Sequence, residues 1–153
     1  MDSLRTFLYE LNPDMNPQLG VGIIFSDGVI REHGTGKLTI VGSFEAFNAV
    51  AFPFQAPPFL VTLLLEGLPV NEQVEARVTL ESQDKLKLAD ITGQLRVDDA
   101  LYDGGRIELP LPFPPITFQN PGSYALKVFI NGQNVGQRAV AVRPVSQARF
   151  QNN

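Results

Sequence analysis

Apolar and polar residues alternate along most of the chain, and the clearest alternation covers residues 72–82. Successive side chains of a strand point to opposite sides of a sheet, so this segment is predicted to be a strand with one buried face. The predicted buried face holds Val74, Ala76, Val78 and Leu80, and the predicted exposed face holds Glu75, Arg77, Thr79 and Glu81. Residues 124–130 alternate in the same way, and Asn131-Gly132 directly after them is typical of a hairpin turn.

The same pattern divides the chain after Pro17 into short strands separated by turn residues. The predicted strands cover residues 20–25 with a continuation at 28–32, then 38–44, 59–67, 72–82, 86–97, 106–111, 124–130 and 133–142. Residues 33–37 are predicted to be a turn because Gly34 and Gly36 permit positive φ. Residues 46–58 and 112–122, rich in Phe and Pro, are predicted to be connections.

These elements predict an all-β fold. Turns recur about every 8–12 residues, and no segment between strands has the period of a helix, which favours two antiparallel sheets over a parallel α/β sheet. We therefore predict an antiparallel two-sheet sandwich of the immunoglobulin-like type. The side chains predicted to lie between the sheets include Leu63, Leu65, Val78, Leu126 and Val128.

Residues 1–18 follow a different pattern. Four apolar residues spaced i, i+3, i+4 and i+7 predict one face of a short amphipathic helix that ends before Pro13. They are Leu4, Phe7, Leu8 and Leu11. A helix this short is marginal alone, so we expect it to dock on its own domain, on a partner or on a second copy. The predicted organisation is an N-terminal amphipathic extension (1–18), a β-sandwich domain (19–143) and a polar C-terminal tail (144–153).

Composition removes several classes of function. The chain has 153 residues and a net charge of −4, which argues against a phosphate-binding surface for nucleic acid. It has no Cys and a single His, His33, which excludes disulfides, thiolate nucleophiles, iron–sulfur clusters and Cys-ligated zinc. No secretory signal and no continuous apolar run of about 18 residues is present, so we expect a cytoplasmic protein without a membrane partner.

Three local features could carry chemistry, and each has a simpler structural interpretation. His33 lies in a turn beside Glu32 and near Asp27, and we interpret it as solvated. The loop with Asp98, Asp99 and Asp103 could bind calcium, but it lacks the ordered EF-hand ligands, which favours a solvated turn.

Residues 109–126 are uncharged and contain five prolines. They could present an apolar polyproline II ridge to a partner, but protection of a sheet edge is the favoured interpretation. Residues 33–37 contain G-x-G-K without the spacer and the Ser or Thr of a phosphate-binding P-loop, so that motif is rejected.

Three stretches are together similar to a known pattern: GVIREHGTGKLTIVGSFEAF (28–47), FPFQAPPFLVTLLLEG (52–67) and FQNPGSYALKVFINGQNVGQRAVAV (118–142). In this order they resemble an uncharacterised bacterial family of single β-sandwich domains. The residues that carry the resemblance are Gly36, Lys37, Ile40, Gly42, Phe44, Phe52, Pro53, Phe118, Pro121, Gly122, Tyr124 and Gly132. The resemblance covers about residues 20–142, implies an immunoglobulin-like fold, and brings no catalytic residues.

Two structural expectations belong to these stretches. Tyr124 follows Pro121-Gly122 and is expected to bury its ring and to bond nearby backbone through its hydroxyl, as in a tyrosine corner. Five aromatic residues are expected to form a cluster that links two strands across one end of the core. They are Phe44, Phe47, Phe52, Phe54 and Phe59.

The sequence predicts a non-enzymatic β-sandwich domain that acts as a binding or structural module. It acts through protein–protein contacts, either with a protein partner or in a homo-oligomer. We predict no catalytic, cofactor-binding or metal-binding residues. The alternatives are a subunit of a phage-like or secretion-type assembly and a hydrolase built from carboxylates. The hydrolase requires a pocket with two facing carboxylates, whereas strand alternation places Glu75, Glu81 and Glu108 on outer faces.

Overall fold

The computed structural model describes residues 19–98 and 106–145, and every regular element in this part is a β-strand. The all-β prediction is therefore confirmed. The strands are β1 (Gly20–Arg31), β2 (Leu38–Phe44), β3 (Ala46–Ala49), β4 (Phe54–Gln55), β5 (Leu60–Glu66), β6 (Gln73–Glu81), β7 (Lys87–Arg96), β8 (Ile107–Pro112), β9 (Thr117–Phe118), β10 (Gly122–Ile130) and β11 (Gln133–Pro144). The helix predicted within residues 1–18 lies outside the described residues.

Three sheets organise the strands. A four-stranded sheet has the order β2-β1-β5-β8, a five-stranded sheet has the order β3-β11-β10-β6-β7, and β4 pairs with β9. All pairs are antiparallel except β11 with β3. The predicted hairpin between β10 and β11 is confirmed, and Asn131 and Gly132 have φ values of 50° and 80°. The short strands β3, β4 and β9 lie inside segments that the sequence predicts to be connections, because two to four residues show no usable alternation.

Both large sheets contribute alternate side chains to one hydrophobic core. The five residues predicted to be buried between the sheets (Leu63, Leu65, Val78, Leu126 and Val128) are all buried. At about 25 cal/mol for each Å² of apolar surface removed from water, this core is the main stabilising contribution.

The predicted exposed face of β6 requires a correction, because Thr79 and Glu81 are 1% and 9% exposed. β6 lies between β10 and β7, so long side chains from both neighbours cover its outer face. Thr79 lies between Lys127 and Asp90 in register, and the Lys127 ammonium forms an ion pair with the Glu81 carboxylate. The alternation of side chains is as predicted, but the outer face of a central strand is not necessarily exposed.

The predicted aromatic cluster forms at one end of the core. The Phe44 and Phe47 ring centroids are 4.7 Å apart, and Phe47 and Phe59 are 5.3 Å apart. Phe54 joins through Phe47, and Phe52 packs partly buried against the core. The cluster is larger than predicted, since Phe113, Phe118 and Tyr124 extend it.

The tyrosine-corner expectation is confirmed at Tyr124. Its ring is buried, and its hydroxyl donates a hydrogen bond of 2.6 Å to the Asn120 carbonyl oxygen. Tyr124→Phe removes this bond and leaves a partly buried carbonyl without its donor, so we expect a loss of about 1 kcal/mol in the free energy of unfolding. Urea unfolding measures the loss, with Ser123→Ala on the exposed neighbouring position as the control. An unchanged midpoint for Tyr124→Phe would show that the hydroxyl adds nothing to stability.

Candidate functional site

The β1–β2 hairpin extends past the strand that supports it. β5 pairs with β1 from Gly20 to Ser26, whereas the β1–β2 ladder continues to the pair Arg31 and Leu38. Residues 27–42 therefore form a two-stranded ribbon with its connecting turn, which we call the hairpin arm. At about 3.3 Å per residue, its five strand positions extend roughly 16 Å beyond the β5 pairing.

The hairpin arm exposes large apolar side chains. Ile30 is 59% exposed and Val41 is 44% exposed, and both lie on the face that β1 turns away from the core. Val41 is opposite Gly28, which has no side chain to cover it. Stable protein interfaces combine an apolar centre with a polar rim, and here Arg31 and Lys37 provide charge near the tip.

The turn at the tip of the arm is held by its own hydrogen bonds. Gly34 and Gly36 have φ values of 92° and 69°, as the sequence predicts. The Arg31 guanidinium donates to the Gly36 carbonyl oxygen at 2.8 Å, and the Glu32 amide donates to the Lys37 carbonyl oxygen at 2.7 Å. The arm is thus an ordered ribbon and can present its apolar residues in a fixed geometry.

The base of the arm explains a glycine in the sequence pattern. Gly42 has a φ of 65°, and a Cβ atom at this position would lie 2.4 Å from the Asp27 Oδ2 atom. The Asp27 side chain therefore folds across the strand opposite to it at the point where the arm leaves the sheet. Any larger residue at position 42 must displace this carboxylate and adopt a strained backbone.

The two edges of the four-stranded sheet differ in how they are protected. Among the described strands, β8 pairs with β5 alone and β2 with β1 alone, so each has an open edge. β8 carries Pro110 and Pro112, which have no N–H to offer a further strand. This position fits the edge-protection interpretation of the proline-rich segment. β2 contains no proline, so its edge is open to strand pairing.

Two clefts of about 440 and 450 Å³ meet where the chain crosses from β2 to β3, and both are lined by Ser43, Phe44 and Ala46. In the first, the Arg138 guanidinium lies 5.9 Å from the Phe25 ring centroid, donates to the Ile23 carbonyl oxygen and pairs with Glu45 at 3.3 Å. Through these contacts, Arg138 on β11 holds the five-stranded sheet to β1 of the four-stranded sheet.

The clefts do not bring two carboxylates together among the residues described. The carboxylate lining the first is Glu45, the second has Asp27, and a third cleft of about 220 Å³ has Asp84. Of the glutamates singled out from the sequence, Glu75 is exposed, Glu108 is half-buried on β8, and Glu81 is buried in its ion pair with Lys127. These three clefts therefore lend no support to the carboxylate hydrolase.

The remaining predicted residues lie at the surface or outside the described part. His33 is exposed in the turn of the arm, and Asp98 is exposed and 3.3 Å from the Arg96 guanidinium. Asp99 and Asp103 fall outside the described residues. Within residues 19–98 and 106–145, no group of three His, Asp or Glu side chains could hold a metal ion. In that same part, no helix has the length and apolar character to cross a bilayer.

The outer face of the five-stranded sheet carries a network of charges. The Arg77 guanidinium donates two hydrogen bonds to the Asp90 carboxylate, at 2.8 and 2.6 Å, and lies 5.8 Å from the Phe129 ring centroid. The hydrogen bond raises the pKa of Arg77 and lowers the pKa of Asp90 below its ordinary value. The Lys87 ammonium adds a weaker contact to Asp90 at 3.8 Å.

Asp90 gives a prediction about pH. Its pKa is lower in the folded state than in the unfolded state, so its contribution is present above the ordinary value of 3.8 and is lost as the pH falls through the lowered pKa. Asp90→Asn is therefore expected to destabilise the protein at pH 7, and the difference from the wild type should vanish at strongly acidic pH. Thermal melts between pH 7 and pH 2 measure this. A difference that grows on acidification would contradict it.

Comparisons with known proteins add a family but no activity. Residues 22–143 match the model of a family of unknown function, DUF6941. No curated protein matches the chain. One of the similar solved structures is the Pseudomonas fluorescens alkylpurine DNA glycosylase AlkC bound to DNA containing an abasic site analog. It is 10% identical, with a TM-score of 0.46, and the match covers 82% of this chain and 30% of that chain. A TM-score this low supports no conclusion about the present protein.

Proposed function

The chain belongs to the family of unknown function DUF6941, and from its own surface we propose that it is a non-enzymatic protein-binding module. Residues 19–143 form an immunoglobulin-like β-sandwich in this proposal, with residues 1–18 as an extension and 144–153 as a tail. It acts in the cytoplasm of a bacterium. The observation that carries the proposal is the hairpin arm, which holds Ile30 and Val41 exposed on an ordered ribbon.

The proposed contact is strand addition to β2. An extended segment of a partner protein pairs with the open edge of β2 through main-chain hydrogen bonds, and its apolar side chains pack against Ile30 and Val41. Main-chain pairing gives affinity, and the pattern of apolar and charged positions on the arm gives specificity. The partner is therefore a protein with an exposed strand of alternating apolar residues.

Two other edges of the large sheets, β8 and β7, are poorer sites for such a partner. Prolines occupy β8, as described above. β7 is an edge of the five-stranded sheet, but it carries Lys87, Asp90 and Arg96, whose charges would lose water on pairing. The apolar edge at the arm thus fits a strand partner better than either.

Site-specific photocrosslinking in the native cells tests the proposal. A photoreactive amino acid replaces Val41, and a control variant carries it at Thr92, which is exposed on the edge strand β7. We expect adducts of discrete mass from position 41, none from position 92, and loss of the adducts when Ile30→Asp is added. No adduct at position 41, or equal adducts from both positions, would overturn the proposal.

The mass of the adduct identifies the class of partner. An adduct of twice the mass of the chain indicates a second copy, and another discrete mass indicates a different protein. A ladder of regularly spaced adducts indicates a repeating assembly, which is the alternative of a phage-like or secretion-type subunit. Each of these outcomes supports a protein contact through the arm.

A further inference from the structure

The outer faces of the two large sheets carry opposite kinds of side chain. On the five-stranded sheet, the outward positions are mostly charged and include Arg77, Glu81, Lys87, Asp90 and Lys127. On the four-stranded sheet, the core side of β5 is occupied by Val61, Leu63 and Leu65, so the residues between them face outward. The central outward positions there are Gly22, Ile24, Leu60, Thr62, Leu64 and Pro110, and we call them the apolar face. Ser26, Glu66 and Glu108 lie on the same side of the sheet and form its polar margin.

A buried hydroxyl without a hydrogen bond lies at the centre of the apolar face. Thr62 lies between Ile24 and Pro110 in register and is fully buried, although it points away from the core. Its hydroxyl oxygen has no hydrogen-bond partner within the described part of the chain. The adjacent Leu64 lies opposite Gly22, and its side chain covers that glycine, because a Cβ atom at position 22 would lie 3.2 Å from the Leu64 Cβ atom. A solvent-facing surface of an antiparallel sheet is ordinarily polar, so this face has the character of a covered surface.

We propose that the apolar stripe of residues 2–11 docks on the apolar face of its own chain. The stripe consists of Leu4, Phe7, Leu8 and Leu11, and it is predicted from their spacing. The segment leads directly into β1, the strand that carries Gly22 and Ile24 on this face. The apolar face lies on the same side of the four-stranded sheet as Ile30 and Val41, but in the part that β5 supports, before the hairpin arm begins. The proposal does not depend on the proposed function.

The connection is long enough for this contact. Residues 12–18 link the stripe to Leu19, and seven residues reach up to about 23–25 Å when extended. The centre of the apolar face is four residues along β1 from Gly20 to Ile24, or about 13 Å. Because the stripe and the face belong to one chain, the local concentration of the stripe is in the millimolar range typical of short tethers. This favours docking within the chain over exchange between copies.

Engineered cysteines test the contact. The chain contains no Cys of its own, so any disulfide joins the introduced residues. The test pair is Leu8→Cys with Leu64→Cys. One control moves the first cysteine off the stripe, as Glu10→Cys with Leu64→Cys, and the other moves the second to the charged sheet, as Leu8→Cys with Thr92→Cys. A disulfide requires the two Cα atoms to approach within about 7 Å. We expect the test pair to form an intramolecular disulfide about tenfold faster than either control pair.

Each outcome decides the proposal. Equal rates for the test and control pairs would show an undocked tail, and an intermolecular disulfide in place of the intramolecular one would show a second copy on the apolar face. Both results overturn docking within the chain.

Deletion of residues 1–12 provides a measurement without cysteines: we expect the melting temperature to fall by several degrees and the mass in solution to stay monomeric. An unchanged melting temperature, or a shift from dimer to monomer on deletion, overturns it as well. Photocrosslinking at Val41 probes the hairpin arm, so a failure of that experiment does not decide whether residues 2–11 dock on the apolar face.

Discussion

Truncation of Phe118 to alanine is expected to lower the free energy of unfolding by about 3–5 kcal/mol, the cost typical of removing a buried phenylalanine ring. Phe118 is fully buried in β9. Its ring centroid lies 4.7 Å from Tyr124, 5.5 Å from Phe47 and 6.3 Å from Phe54. One side chain therefore joins the small β4–β9 sheet to β3 and to β10, and its loss leaves a cavity where these strands meet.

Equilibrium unfolding in urea measures this effect, and Phe129→Ala is the matched control. Phe129 is half-exposed on the outer face of β10 beside Arg77, so its removal creates no enclosed cavity. We expect Phe118→Ala to cost at least twice as much as the control. Equal losses for the two variants would show that the aromatic cluster does not hold this end of the core.

The second large effect concerns the hairpin arm. The double variant Ile30→Asp with Val41→Asp is expected to weaken binding of the photocrosslinked partner about 100-fold or more, because it places two carboxylates where the partner's apolar side chains pack. A 100-fold loss corresponds to about 2.7 kcal/mol, which is within the range of hot-spot residues near the centre of an interface. The melting temperature should change little, since both side chains are largely exposed. Titration of the purified partner against each variant measures the affinity.

Thr92→Asp is the control for added negative charge, because Thr92 is exposed on an edge strand of the other large sheet. It should bind as the wild type does. Equal weakening by Thr92→Asp would point to net charge and not to the arm. Full binding by the double variant would remove the arm from the interface.

The long strands could be predicted from the sequence because their signals are local. Alternation in residues 72–82 and 124–130 and the Asn131-Gly132 turn define strands and a hairpin without knowledge of their neighbours. β2 has the predicted bounds, and the bounds of the other long strands differ by one or two residues, apart from β1, which the sequence divides into two pieces. The buried hydroxyl bond of Tyr124 was also predictable, because it follows from a residue pattern within five positions.

The hairpin arm could not be predicted in the same way, because it depends on the relative lengths of paired strands. β1 has 12 residues and β5 has 7, and the unsupported length of the hairpin follows only once their register is known. The sequence signal that could have revealed the arm is the difference in length between the strand-forming segment of β1 and that of β5. Burial of Glu81 depends likewise on Lys127, which is 46 positions further along the chain but in the neighbouring strand.

Amide hydrogen exchange in the complex isolated from the native cells tests strand addition to β2 most directly. The comparison is between the free protein and the protein bound to the partner identified by crosslinking at Val41. Strand pairing predicts slower exchange for amides within Leu38–Phe44 on binding, and unchanged exchange for the edge strand Lys87–Arg96. Unchanged exchange in Leu38–Phe44, with protection elsewhere, would contradict the account.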